Sequence, residues 1–203
     1  MLGKYIVRKI GKKKLVGKIV EVEAYNGPRD LASHASRGMT ERNAIMFGHA
    51  GHAYVYFIYG MHYCFNVVTE NHDYPAAVLI RAVEPVSVPL LKGDKGDYNL
   101  PNPPLKGGQL HTNGPAKFCR AFKINKSLNG ISLTPRAPAR NATHSVAGGP
   151  LCKEGKIWIE DRGKPIKKTA IVATKRIGED YAGKYKDKKW RFYLKGNEWV
   201  SRN

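Results

Sequence analysis

Apolar and polar residues alternate from Val20 to Tyr25, where Val20, Val22 and Ala24 interleave with Glu21, Glu23 and Tyr25. A period of two marks a strand with one buried face, so the opposite face is expected to carry two acids and an aromatic ring. Asn26-Gly27-Pro28 then ends the strand in a turn. Upstream, the run IVRKI reads as a strand, followed by a lysine-rich turn at Lys12, Lys13 and Lys14 and a second strand into Val20. The strongest β signal spans Tyr54 to Val68 (YVYFIYGMHYCFNVV), an aromatic and β-branched run broken only by Gly60. It predicts a hairpin. A three-residue loop at Tyr59-Gly60-Met61 sets Tyr56 opposite Cys64 and Tyr54 opposite Asn66, so that Tyr54, Tyr56 and Asn66 share a face and Tyr59 stands at the apex.

The following strand, Ala76 to Val83 (AAVLIRAV), is apolar except for Arg81, and an arginine in such a setting is expected to pair with an acid or line a cleft. Between the first strands and the hairpin, Asp30 to Phe47 reads as a loop with short helical turns, one of them starting at Thr40-Glu41-Arg42-Asn43. Asn113-Gly114-Pro115 predicts a helix entry into Ala116 to Phe122, with Asn as the cap and Pro in the first turn. That entry serves either as a plain cap or as an anion contact. Glu84 to Thr112 and Thr134 to Pro150 read as long loops, while Lys156 to Glu160 and Thr169 to Ala173 read as further strands. The whole is mixed α and β (α+β), one domain over residues 1–203 with an antiparallel sheet dominating.

Charge changes the picture. The 35 Lys and Arg against 16 Asp and Glu leave +19, which points to a polyanionic partner, nucleic acid first and an anionic membrane surface second. No run is apolar enough for a membrane-spanning helix and no signal-peptide pattern opens the chain, so a cytoplasmic protein is expected. Cys64, Cys119 and Cys152 are too few and too scattered for a disulfide framework, which suits a reducing compartment. His49 and His52 lack the companions of a zinc site, and no GxSxG, Walker or dinucleotide motif is present, so neither metal nor cofactor is expected. Taken alone, the Glu23 stretch fits either a surface strand with solvated acids or a general base beside a stacked substrate. The tyrosines fit either strand packing or base stacking and insertion into a duplex.

EVEAYNGPRDLASHASRG, TERNAIMFG, YVYFIYGMHYCFNVV, VLIRAVEP, NGPAKFCRAF, RIGEDYAGK and KKWRFYLKGNEWVS follow one another from about Leu2 to Ser201. In that order they resemble the blocks of the alkyladenine (3-methyladenine, N-methylpurine) DNA glycosylase family. The resemblance implies a single domain with a curved antiparallel sheet, a protruding β-hairpin and surrounding helices. It implies a monofunctional enzyme that flips alkylated or deaminated purines out of double-stranded DNA and hydrolyses the N-glycosidic bond, among them 3-methyladenine, 7-methylguanine, hypoxanthine and ethenoadenine. By the same resemblance Glu23 activates the attacking water, with Arg81 and the main-chain carbonyl of Ile177 holding it. Tyr25, His34 and Tyr56 enclose the flipped base, Asn66 crowds out the amino group of guanine, and Tyr59, with Met61 beside it, wedges into the minor groove.

The sequence departs from the family pattern in two places. Members usually open with a helix before the strand that starts here at Gly3-Lys4-Tyr5, so the expectation is either a truncated chain or a shorter native start. His62 stands at the hairpin tip where other members often have an aromatic. The rival expectation is a non-catalytic basic nucleic-acid-binding module, and only Glu23 and Arg81 separate the two. One flipped base needs only a monomer.

Overall fold

The computed structural model describes residues 1–86, 111–134 and 155–202. Most of the predicted loops at Glu84 to Thr112 and Thr134 to Pro150, together with Cys152, lie outside the described residues. Among the described residues eight strands form one antiparallel sheet: β1 (Tyr5–Ile10), β2 (Lys13–Asn26), β3 (Ala53–Ile58), β4 (His62–Thr69), β5 (Ala76–Pro85), β6 (Ile157–Glu160), β7 (Ile171–Thr174) and β8 (Arg191–Leu194). The sheet is organised around β2. One edge of this strand pairs with β5, while the other pairs first with β1 and then, at Glu21 to Glu23, with β8. The turn before β2 is tighter than expected, because Lys13 and Lys14 already belong to the strand.

Pairing of β2 with β5 is interrupted on both sides of Glu21. The interruption changes which side each residue faces. Ile19 and Val22, three apart, pack in the same large core cluster, whereas Val20 joins Ala82 and Leu194 in a different one. The expected face shared by Val20 and Val22 therefore does not exist. The solvated-acid reading fails as well, since Glu21 and Glu23 are both fully buried.

The hairpin forms with the expected register, Tyr54 opposite Asn66 and Tyr56 opposite Cys64. Its loop is Tyr59-Gly60-Met61, closed by the Met61 N–H on the Ile58 carbonyl. Tyr54 packs under the 3-10 turns His34–Arg37 and Ala44–Phe47, while its neighbour Val55 points into the main core with Phe65.

Helix is sparser than expected. Among the described residues it is limited to α1 (Pro115–Ala121) and short 3-10 turns, so the sheet is not ringed by helices. The α1 cap is Gly114, and Asn113 instead bridges to Ala82 and accepts from Lys117. Phe118 and Phe122 of this segment are fully buried against Phe65 and the inner strands. Gly17 makes room for Phe122: a Cβ there would stand 2.8 Å from Val83 and 2.9 Å from the Phe122 ring. Because Phe118 fills the junction of α1 and the sheet, Phe118→Ala is expected to cost about 3–5 kcal/mol of stability, read from the urea unfolding midpoint.

Candidate active site

Tyr25 and Arg81, from β2 and β5, meet the loop after β7 around a cavity of about 230 Å³. His34, Tyr54, Tyr56, Asn66, Ile177, Glu179 and Tyr181 complete much of its wall, and Tyr59 reaches its rim. Such a concave pocket with a few convergent polar groups is the usual form of a small-molecule site.

Glu23 stands one layer behind this wall. Its Oε2 accepts from Arg81 Nη1 at 3.1 Å and from the Tyr25 hydroxyl at 3.1 Å, and its Oε1 accepts from the Ile177 N–H at 2.8 Å. The contact seen from Ile177 thus comes from its amide, on the Glu23 carboxylate itself. Burial pushes the Glu23 carboxyl above the usual 4.5, and the Arg81 charge, the Ile177 N–H and Tyr25 pull it part of the way back. For Arg81, burial works against the charge, but Glu23 and Glu21 outweigh it and raise the guanidinium further.

Glu21, solvated on one of the two readings of its strand, is an anchor. It accepts from Arg81 Nε at 3.2 Å, Arg191 Nε at 2.7 Å, the Ser201 N–H at 2.7 Å and the Ser201 hydroxyl at 2.9 Å. Arg191 was readable by the argument that singled out Arg81, since it too interrupts an apolar strand, in WRFYL.

The ring of Tyr25 is backed by Arg176, whose guanidinium lies 4.7 Å from its centroid. Both terminal nitrogens of Arg176 are held by the buried Asp30, at 2.6 and 2.8 Å. Burial and the nearby Glu23 and Glu179 carboxyls hold the Tyr25 hydroxyl well above its ordinary value, so it remains a proton donor. His34 Nδ1 shares a 2.8 Å hydrogen bond with the Tyr54 hydroxyl, and its ring packs edge-on against Tyr56 at 4.5 Å. Burial and the nearby Arg42 lower His34, favouring neutral imidazole at neutral pH. Asn66 is buried and donates to the Tyr54 carbonyl at 3.1 Å. Tyr59 and Met61 stand 86% and 68% exposed at the hairpin tip, and Tyr59 holds a φ of 51°. That left-handed backbone costs a residue with a side chain about 1–2 kcal/mol.

The cavity therefore gathers Tyr25, His34, Tyr56, Asn66, Arg81 and Ile177, with Glu23 behind them and Met61 apart at the tip. Glu179 gave no sequence signal, sitting in a polar loop. No group of three or more His, Cys, Asp or Glu is placed to hold a metal among the described residues, and no described helix is long and apolar enough to cross a membrane.

A family model described as methylpurine-DNA glycosylase matches residues 1–198. The chain belongs to the methylpurine-DNA glycosylase family. A protein of Methanocella arvoryzae is 43% identical over 202 residues, covering 100% of this chain and 88% of its own length. Proteins of Carboxydothermus hydrogenoformans and Alkaliphilus oremlandii are each 43% identical over 206 residues, covering 100% of this chain and 90% and 91% of theirs. All three are provisionally named 3-methyladenine DNA glycosylase.

In this member of the family the raised Glu23 has a consequence for stability. A carboxyl raised on folding binds its proton more tightly in the native state, so its contribution is full below the ordinary 4.5 and is lost as pH rises through the native value. The stability of the wild type relative to Glu23→Gln is therefore expected to increase as pH is lowered from neutral toward 4.5, measured as the difference in urea midpoints.

Proposed function

We propose that this DNA glycosylase takes a damaged purine, flipped from duplex DNA, into the cavity between Tyr25, His34 and Tyr56 and hydrolyses its N-glycosidic bond with a water activated by Glu23. The observation that carries the reading is a fully buried carboxylate held by an arginine and a main-chain N–H directly behind an aromatic-walled cavity. A structural ion pair needs no such cavity, and a surface binding module needs no buried acid.

The elements divide the work. Stacking on aromatic faces is worth roughly 1–3 kcal/mol per base and offsets the few kcal/mol that flipping costs. An alkylated purine that carries positive charge gains more from electron-rich rings, and it is also the better leaving group. Asn66, fixed by the Tyr54 carbonyl, is positioned to test the edge of the base. Glu23 has no surface of its own in this structure, so bound DNA must open a path for water between Tyr25 and the segment at Ile177. Tyr59 is an exposed ring at the hairpin tip, suited to fill the gap the flipped nucleotide leaves in the stack. The net charge of +19 supplies affinity for the duplex without sequence preference. One flipped base needs one cavity, so the reading requires no more than a monomer.

Glu23→Gln is expected to slow base release by about 10²–10⁴-fold while lesion-duplex binding persists, scored by alkaline cleavage at abasic sites and by gel shift. Full activity in that variant would remove Glu23 from the chemistry. Tyr59→Ser is expected to lose much of the fluorescence change of ethenoadenine on flipping, and an unaltered signal would count against the wedge.

A further inference from the structure

Four acids are buried among the described residues: Glu21, Glu23, Asp30 and Glu179. Arginine holds three of them, Arg81 and Arg191 on Glu21, Arg81 on Glu23 and Arg176 on Asp30. Glu179 has no ion pair with a described residue. Its Oε1 accepts from the Tyr25 hydroxyl at 2.8 Å and its Oε2 is buried with no hydrogen-bond partner, while the Tyr181 hydroxyl and the Arg176 charge also lie close to the carboxyl. The residue is 8% exposed and lies on the cavity wall, which Glu23 does not.

A buried carboxylate oxygen with no donor aimed at it is costly, because desolvation of a charged group is not compensated. A proton carried on that oxygen would be directed at whatever acceptor the cavity holds. The ring nitrogens of a neutral purine are such acceptors.

We propose that Glu179 is the general acid of the reaction, delivering a proton from Oε2 to a ring nitrogen of the departing purine. This rests on the glycosylase reading above and supplies its missing half, since a neutral base leaves poorly as an anion. The protons balance through Tyr25. Water oxygen bonds to the sugar carbon and its proton passes to Glu23, while the carbon–nitrogen bond breaks with its electron pair going to the purine, which takes the Glu179 proton. Glu23 then passes its proton from Oε2 to the Tyr25 oxygen across 3.1 Å, and Tyr25 passes its own to Glu179 Oε1 across 2.8 Å. Glu23 is again the carboxylate and Glu179 again carries a proton, now on Oε1. One residue two positions beyond Ile177 thus links the general base to the leaving group, and the Ile177 N–H on Glu23 fixes the loop that carries it.

The test compares a neutral lesion, hypoxanthine, with a cationic one, 7-methylguanine, whose leaving group needs no added proton. In single-turnover assays on duplexes, Glu179→Gln is expected to slow hypoxanthine release about a hundredfold and 7-methylguanine release roughly tenfold less than that. A wild-type hypoxanthine rate that falls as pH rises is expected, a fall that the variant should lack, and Glu179→Asp, which keeps an acid, should restore part of the rate. Equal losses on both lesions, no loss, or a larger loss on 7-methylguanine would overturn the assignment, the last marking Glu179 as an anionic partner of the cation. A wild type that releases 7-methylguanine but no neutral purine would overturn it too. A wild type that releases neither base, or full activity in Glu23→Gln, overturns the glycosylase mechanism itself and is thereby distinguished.

Discussion

Everything in the site depends on Arg81 lying between two buried carboxylates. Its Nε reaches Glu21 and its Nη1 reaches Glu23, and Arg191 comes to Glu21 from the neighbouring strand. A buried ion pair of this kind rarely adds net stability over a hydrophobic replacement of the same volume, whereas breaking one leaves an uncompensated charge. The network therefore ties β2, β5, β8 and the segment at Ser201 together without itself being an efficient way to stabilise them. The two acids differ in how well they are served. Glu21 collects hydrogen bonds from Arg81, Arg191 and both groups of Ser201, while Glu23 shares one oxygen between Arg81 and Tyr25 and gives the other to a single N–H. Glu23 is the acid left with reason to take a proton, which is the property a general base requires.

The irregular pairing around Glu21 sets how the apolar residues beside it are placed. A regular β2–β5 ladder would continue the alternation of the strand without a break. The paired shifts instead turn Val20 away from the main core, while Glu21, Glu23 and Tyr25, two apart, keep the shared side that alternation gives them, both acids meeting Arg81 and Tyr25 meeting Glu23. Irregular pairing of this kind is common beside active sites, where it re-aims side chains.

That irregularity also explains what the sequence could and could not show. The hairpin register was readable because its pattern of aromatic and β-branched residues is local and the loop length decides the facing pairs. Arg81 was readable because a charge in an apolar strand needs a partner. The placement of Val20 was not, since nothing in KIVEVEAY marks the residue at which pairing slips. Burial of Glu21 and Glu23 followed from partners more than fifty residues away, and Glu179 meets Tyr25 across a separation of 154 residues. Such contacts leave no local periodicity. The surrounding helices were implied by the family resemblance and not by any local pattern: Asp30 to Phe47 read as a loop with short helical turns, and among the described residues short 3-10 turns are what form there.

The rigid and exposed parts of the site are separated. Tyr25 is clamped from behind by Arg176, itself fixed by two bonds to Asp30, and Asp30 in turn accepts from the backbone N–H groups of Asn26 and Ala32. One face of the ring is thereby committed to the protein and the other is left for a ligand. A platform locked in this way loses little side-chain freedom when something stacks on it, so on the proposed reading more of the stacking energy remains available to hold a flipped base. Tyr59 is the opposite case, a large ring in water on a strained backbone at the end of a two-stranded ribbon. It has no core to fill and gains nothing from exposure in the free protein. Its cost is recovered only when an apolar gap is presented to it, and on the proposed reading that gap exists at the moment the nucleotide has left the stack for the cavity. The two halves of the site are then coupled through the DNA, not through the protein: an occupied cavity creates the vacancy that the tip fills, and a filled vacancy keeps the base from returning.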